Sequence, residues 1–298
     1  MSKFPFTRSA SRKRRPAALL ASAALVALLA ACSGGGEAPE PGVSGIGSDP
    51  GRTGSTLEDI QARGVINIGV GLTTPPFGQK DDSGNPEGFD IDVANEFAEY
   101  LGVEANLFEV SADARIPTLQ SGQADLISFT LTITPERAEQ VDFAEIGEIN
   151  AFQGVAVGKD SSINSIDDLA NATIAVQKGT RGEVLANSAF PNANKQYYDT
   201  QVATLLAVQQ GQADAIIDGV FQLSYKVNDD PTMRMLPGLV DGDAVSTYAL
   251  AVQKGNSTLL AEINAFMEQF HENGRGIALY EKWFGTEPPE EAFQGLED

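Results

Sequence analysis

Cys32 and His271 are the only thiol and the only imidazole in a chain of 298 residues. A single cysteine closes no disulfide framework, and the two side chains together are too few for a structural zinc site. His271 lies in a late, polar helical stretch and is expected to face solvent. The sequence holds no nucleophile elbow, no cluster of metal ligands and no glycine-rich phosphate loop. Neither a cofactor nor a metal is therefore expected. The chemistry left to place is charge and hydrogen bonding. Acidic residues outnumber basic ones 41 to 20, which argues against a nucleic-acid partner, since that needs a basic patch to meet phosphate.

The charge is uneven along the chain. Residues 1–31 hold six cations (Lys3, Arg8, Arg12, Lys13, Arg14 and Arg15) and no carboxylate. An apolar run over residues 16–31 follows, interrupted only by Ser22. It is shorter than the roughly 20 residues a spanning helix needs. A basic head, a short apolar core and small residues at its end read as a secretory signal peptide over residues 1–31. Without it the chain carries 14 basic and 41 acidic residues, a net charge of −27 that keeps it soluble and away from anionic lipid. Residues 32–55 read as a flexible tether. Eight glycines and three prolines fall among residues 33–54, with no aromatic side chain to bury against the entropy of ordering.

The body alternates strand and helix signals. Residues 65–70 form a short apolar run, read as a buried strand. Apolar positions at Ile91, Val93, Ala94, Phe97, Ala98 and Leu101 have helical spacing and stop before Gly102. Strands are expected at 105–110 and 124–129, with a short helix at 116–121 between them. Thr134-Pro135 opens another helix, threonine as cap and proline in the first turn. Alternation of this kind predicts an α/β fold with mostly parallel sheets. The order then repeats. Gln120-Ser121-Gly122-Gln123-Ala124-Asp125 has a near twin 89 residues on, Gln209-Gln210-Gly211-Gln212-Ala213-Asp214. Ala-Val-Gln-Lys-Gly occurs at 175–179 and again at 251–255. The matches predict two similar lobes, with the chain returning to extended structure late.

Two resemblances follow from particular phrases. Leu29-Ala30-Ala31-Cys32 resembles the lipobox of bacterial lipoproteins, in which the cysteine is lipidated and becomes the mature N-terminus. That implies a membrane anchor through lipid on Cys32, and with the tether it implies a Gram-positive envelope. Gly88-Phe89-Asp90-Ile91-Asp92-Val93-Ala94 resembles a motif of family 3 solute-binding proteins, the polar amino-acid receptors of bacterial ABC importers. The phrases at 116–122, 125–127, 132–138 and 141–143 resemble a further block of that family. Lys178-Gly179-Thr180 resembles the start of its second lobe, and Glu281-Lys282-Trp283-Phe284-Gly285 its C-terminal phrase. The likeness runs from about residue 57 to residue 285.

The resemblance implies a type II clamshell, monomeric and extracytoplasmic, joined by two hinge strands near 151–157 and 246–252. Lobe 1 is expected at 56–151 plus 252–298 and lobe 2 at 152–251. A free amino acid would bind between them and pass to a permease. Burying a carboxylate and an ammonium unpaired is prohibitive, so the cleft must supply a cation, an anion and hydrogen bonds. By resemblance Arg137 forks onto the α-carboxylate. Thr132 offers its hydroxyl, and Thr130 stands where a glycine is usual and a carbonyl meets the ammonium. Thr180 serves the carboxylate from lobe 2. The family's ammonium partner falls at Gly219, with Asp218 one residue early; Asp218 either reaches the ligand or begins a turn. Arg115 precedes Ile116-Pro117 as in acidic amino-acid receptors, and Arg181 adds a second cation or a surface charge. Thr74 and Ala112 replace common aromatic walls, and Ala144-Glu145-Ile146-Gly147 replaces a usual Pro-Tyr segment. The expected ligand is glutamate or aspartate. Two other readings are a cleft enzyme resembling cyclohexadienyl dehydratases and a sensor that presents its closed form to a receptor.

Overall fold

The structure is a computed structural model and describes residues 54–240, 242 and 246–296. The leader, Cys32 and nearly all of the tether lie outside the described residues.

The first half-turn of sequence lays down one edge of a sheet. Helix α1 (Leu57–Arg63) is closed by a capping box between Thr56 and Asp59 and by Gly64 in the left-handed region. Strand β1 (Val65–Val70) follows, then a small hairpin of β2 (Gln79–Lys80) and β3 (Pro86–Glu87). Helix α2 (Phe89–Leu101) buries Phe89, Ile91, Val93, Ala94, Phe97 and Ala98, the face its spacing predicts. Then come β4 (Glu104–Glu109), α3 (Arg115–Gln120), β5 (Leu126–Ser128), α4 (Pro135–Ala138), β6 (Val141–Phe143) and β7 (Ile149–Ala151). The second half supplies β8 (Gln153–Gly158), β9 (Thr173–Gln177), α5 (Arg181–Ala189), β10 (Asn194–Tyr198), α6 (Gln201–Gln209), β11 (Ala215–Gly219), α7 (Val220–Asp229) and β12 (Met233–Met235). The chain returns through β13 (Ser246–Tyr248) and β14 (Ala251–Gln253) and ends in α8 (Ser257–Glu272) and α9 (Arg275–Phe284).

Two five-stranded sheets result, ordered β4-β1-β5-β14-β6 and β10-β9-β11-β8-β12. In each, the first three strands run parallel and the last two pairings are antiparallel. The sheets are thus mixed, because the strand that crosses between lobes enters each sheet from the opposite direction. Both have apolar clusters on both faces: Ile68, Phe97, Leu126 and Met267 on one side of the first and Leu119, Ile127 and Val141 on the other. In the second sheet Val155, Ile174 and Ile217 face α5, while Leu205, Ile216 and Leu223 form the other layer. Each such side chain contributes roughly 1.5–3 kcal/mol by leaving water. β7 pairs antiparallel with β13, a two-stranded ribbon where the chain leaves the first sheet and comes back.

The twin phrases occupy twin turns. Gly122 and Gly211 both take positive φ, 72° and 69°. Gln123 N and Ala124 N donate to Thr118 O, just as Gln212 N and Ala213 N donate to Ala207 O. Asp125 then accepts from Asn67 N and Asp214 from Thr173 N, each at 2.7 Å. Each carboxylate ties the start of the neighbouring parallel strand.

His271 departs from expectation. It is buried, with Nε2 2.7 Å from Gly147 O and its ring against Phe270 and Phe293. The helix-wheel reading failed because α8 is covered by the residues after α9, a contact that local spacing does not contain.

Candidate functional site

In open α/β sheets the C-terminal ends of parallel strands face the ligand crevice, and here those ends meet from both lobes. β5 runs into Phe129, Thr130 and Thr132; β9 runs into Gln177 and Thr180; β11 carries Asp218 as its last residue but one. Together with Thr74, Ala112, Arg115, Gln153, Arg181, Gln222 and Tyr248 they line a cavity of about 340 Å³, counting the part open to solvent. Six of the seven residues expected from sequence line it: Arg115, Thr130, Thr132, Thr180, Arg181 and Asp218.

Arg137 is the exception. It lies outside the cavity, in the groove beside it. Its Nη1 donates to Thr132 O at 2.8 Å and its Nη2 to Gly179 O at 2.9 Å. The cap of α4, Thr134 accepting from Arg137 N, holds the residue where the motif places it, but the fork points at backbone carbonyls.

Arg115 occupies the interior instead. Its Nε donates to Ala112 O at 2.7 Å, Nη1 to Phe129 O and Thr130 O, and Nη2 to Gly179 O at 2.8 Å. Four of five N–H groups are thereby used, which leaves one for a ligand. Burial and then the nearby Arg137 pull the guanidinium down to about 9, so it stays charged at neutral pH. Its face lies 5.0 Å from the Phe129 ring centre.

Gly179 is where the lobes touch. Both guanidinium groups, from lobe 1 elements, donate to its carbonyl in the loop before α5. Its φ is +75°, and a Cβ there would sit 2.4 Å from the Asp113 Cα. Only glycine allows this approach.

Thr130 also takes a left-handed φ, +31°, which explains why glycine would be the easier residue there. Its N–H donates to Asp90 Oδ2 at 2.9 Å, and its carbonyl is taken by Arg115. Beneath it lie two buried carboxyls. Burial pushes Asp90 up to about 8 and, with the Asp90 charge added, holds Glu148 well above its usual range. Glu148 Oε2 has no hydrogen-bond partner among the described residues. The Thr180 hydroxyl donates to Gln177 O and accepts from Glu183 N as the cap of α5.

Asp218 supplies the anion. Burial raises its carboxyl above the usual range, and Gln201 Nε2 at 2.7 Å and Gly219 N at 2.8 Å offset this only in part. Three cavity atoms are buried without partners: Thr74 Oγ1, Arg181 Nε and Gln222 Oε1. Polar atoms of this kind cost free energy unless something meets them.

Sequence reasoning missed Gln153, Gln177, Gln222, Phe129 and Tyr248. Phe129 and Tyr248 restore the aromatic walls that Thr74 and Ala112 forgo. The glutamines carried no signal, since an isolated Gln on a helix or strand reads as solvated. Tyr248 is brought in by non-local pairing, with Ile149 across the ribbon and with Thr132 in an isolated antiparallel bridge. Among the described residues no group of His, Cys, Asp and Glu is arranged to hold a metal. No described helix is long and apolar enough to cross a membrane.

The family model of bacterial extracellular solute-binding proteins, family 3, matches residues 66–286. The ABC transporter glutamine-binding protein GlnH of Bacillus subtilis (strain 168) is 36% identical over 241 residues, covering 79% of this chain and 86% of that protein. The L-cystine-binding protein TcyJ of Escherichia coli (strain K12) is 30% identical over 235 residues, 78% of this chain and 86% of its own. The crystal structure of the solute receptor for L-cysteine of Neisseria gonorrhoeae matches with a TM-score of 0.75 and 30% identity, over 80% of this chain and 99% of that one. With a family match over more than half its length and relatives spanned nearly end to end, this chain belongs to the bacterial extracellular solute-binding proteins, family 3.

Proposed function

We propose that this protein captures a free amino acid between its lobes outside the cytoplasm and hands it to an ABC importer. The supporting relatives are named for binding glutamine, L-cystine or arginine. The observation that carries the reading is the charge arrangement of the cavity: Arg115 from lobe 1 and Arg181 from lobe 2 line it together with Asp218 of lobe 2. A zwitterion uses one cation and the one anion. The second cation is then left for an acidic side chain, and the ligand with matching net charge is glutamate or aspartate.

Closure follows from the same contacts. The ribbon of β7 and β13 serves as the hinge, and Gly179 O gathers two guanidinium groups from the opposite lobe. A ligand that touches both lobes selects that closed arrangement. The lipid on Cys32 would keep the protein at the membrane.

One observation favours a second ligand. Gln153, Gln177 and Gln222 give the cavity three carboxamides, which suit a neutral amide side chain such as glutamine. Calorimetry with the common amino acids decides between the two. Heat with L-glutamate or L-aspartate supports the charge reading, and heat with neutral or cationic amino acids alone rejects it. Turnover of prephenate would move the protein to the enzyme reading.

A further inference from the structure

We propose that Gln222 is a ligand-binding residue, whose Oε1 accepts an N–H from the ligand ammonium beside Asp218. The inference rests on the amino-acid reading above. An ammonium carries three N–H donors, and in a closed cavity each needs an acceptor. Asp218 supplies the charge, and with each oxygen already accepting one bond, from Gln201 Nε2 and Gly219 N, it has a single lone pair per oxygen left for the ammonium. Thr130 O, the lobe 1 carbonyl in the cavity, is engaged by Arg115. The acceptor left beside Asp218 is Gln222 Oε1. It is buried in a side chain 2% exposed, lines the cavity and has no partner.

Gly219 makes this placement possible. A Cβ on Gly219 would lie 2.1 Å from Gln222 Oε1 and 2.6 Å from the Tyr248 hydroxyl. Any side chain at 219 would therefore evict both groups. The carboxamide is oriented from its other end, where Nε2 donates to Tyr248 Oη at 3.0 Å. Burial and the nearby Asp218 raise the Tyr248 phenol, so it stays a neutral partner for that amide. A glycine next to Asp218 thus hands the second ammonium contact to a residue one helical turn on, at the start of α7.

The test compares L-glutamate with glutarate, the same skeleton without the ammonium, on the full chain. Gln222→Leu is expected to weaken L-glutamate about tenfold or more, as for a hydrogen bond to a charged group, and to leave displacement by glutarate within about twofold. Gln222→Glu keeps an acceptor and is expected to hold L-glutamate within about threefold. Equal weakening of both probes by Gln222→Leu would assign a structural role and overturn the proposal. So would loss of L-glutamate in Gln222→Glu, which would mean that Nε2 faces the ligand as a donor. If Gln222→Leu fails to fold, the Gln222→Glu result decides alone. A wild-type chain that binds no common amino acid would overturn the functional reading itself, a different outcome from a wild type that binds while the variants fail to discriminate.

Discussion

The turn before β5 and the turn before β11 are the same structure built twice, and the strand ends they feed are not. Both turns place a glycine at positive φ, bond two amides to one carbonyl and pin the adjacent strand with an aspartate. Past those strands the likeness ends. β5 leads to strained Thr130 and to carbonyls that collect Arg115; β11 leads to Asp218 and a tightly enclosed Gly219. The scaffold is near-symmetric while the strand ends differ in charge: the first sheet's end holds the cation Arg115, and the second sheet's end holds the anion Asp218 with Arg181 nearby on α5. A binder of zwitterions needs that: two stable frames whose edges can be matched, carrying unlike ends of one ligand.

The largest way to break the comparison is to keep the halves apart. Gly179→Ala puts a Cβ into the Asp113 backbone at an unfavourable φ. It is expected to cost about 3 kcal/mol of closure, over a hundredfold in affinity. Calorimetry and solution scattering would read the loss together, and an unchanged affinity would dismiss Gly179 as the meeting point.

Next is the cation. Arg115→Ala leaves the buried carbonyls of Ala112, Phe129 and Thr130 short of a donor, while Gly179 O keeps Arg137, so it should lower stability by about 3 kcal/mol as well as binding. Arg181→Ala, whose guanidinium makes none of these bonds, should stay within about 0.5 kcal/mol in stability. Denaturant midpoints of the two variants separate a residue that also holds the lobe together from one that serves only the cavity. Equal midpoints would contradict the assignment.

Lobe 1 also carries the buried carboxyls Asp90 and Glu148. Both titrate higher when folded, so the folded state holds protons that the unfolded chain has released above about pH 4. Their contribution is full below pH 4 and is lost as pH climbs towards 8. The melting temperature is expected to fall by several degrees from pH 5 to pH 8, and Glu148→Gln should flatten that slope. A slope unchanged in the variant would remove Glu148 from the account.

The smallest effect sharpens the repeat itself. Asp214→Ala should cost about 1 kcal/mol for its strand-start hydrogen bond. Asp125→Ala should cost about 1 kcal/mol more, because Asp125 also pairs with Arg63. Equal costs would mean that the ion pair contributes nothing.

What was legible in the sequence follows the same division. The paired turns, the helix caps and the buried strands are local chemistry, and Thr134, Gly102 and the twin aspartates announced them. The places of Arg115 and the threonines in the cavity could be read from the family phrases that carry them, whereas the family's ammonium position fell on Gly219 and left Asp218 open between ligand and turn. That the Arg137 guanidinium donates to Thr132 O and Gly179 O could not be read, because Gly179 comes from the other lobe. The glutamines and Tyr248 were invisible for a related reason: each enters the cavity only when a helix or ribbon distant in sequence folds against it. His271 failed in the same way, covered by chain that its own helix does not predict.

The central claim is that an anion on lobe 2 and cations beside it grip one zwitterion. Titrating L-glutamate calorimetrically into the wild type and into Asp218→Asn, which keeps the shape but not the charge, tests it directly. The account predicts micromolar binding in the wild type and a loss of about a hundredfold in the variant, as for removal of a buried charge partner. Equal affinity in both proteins would contradict it.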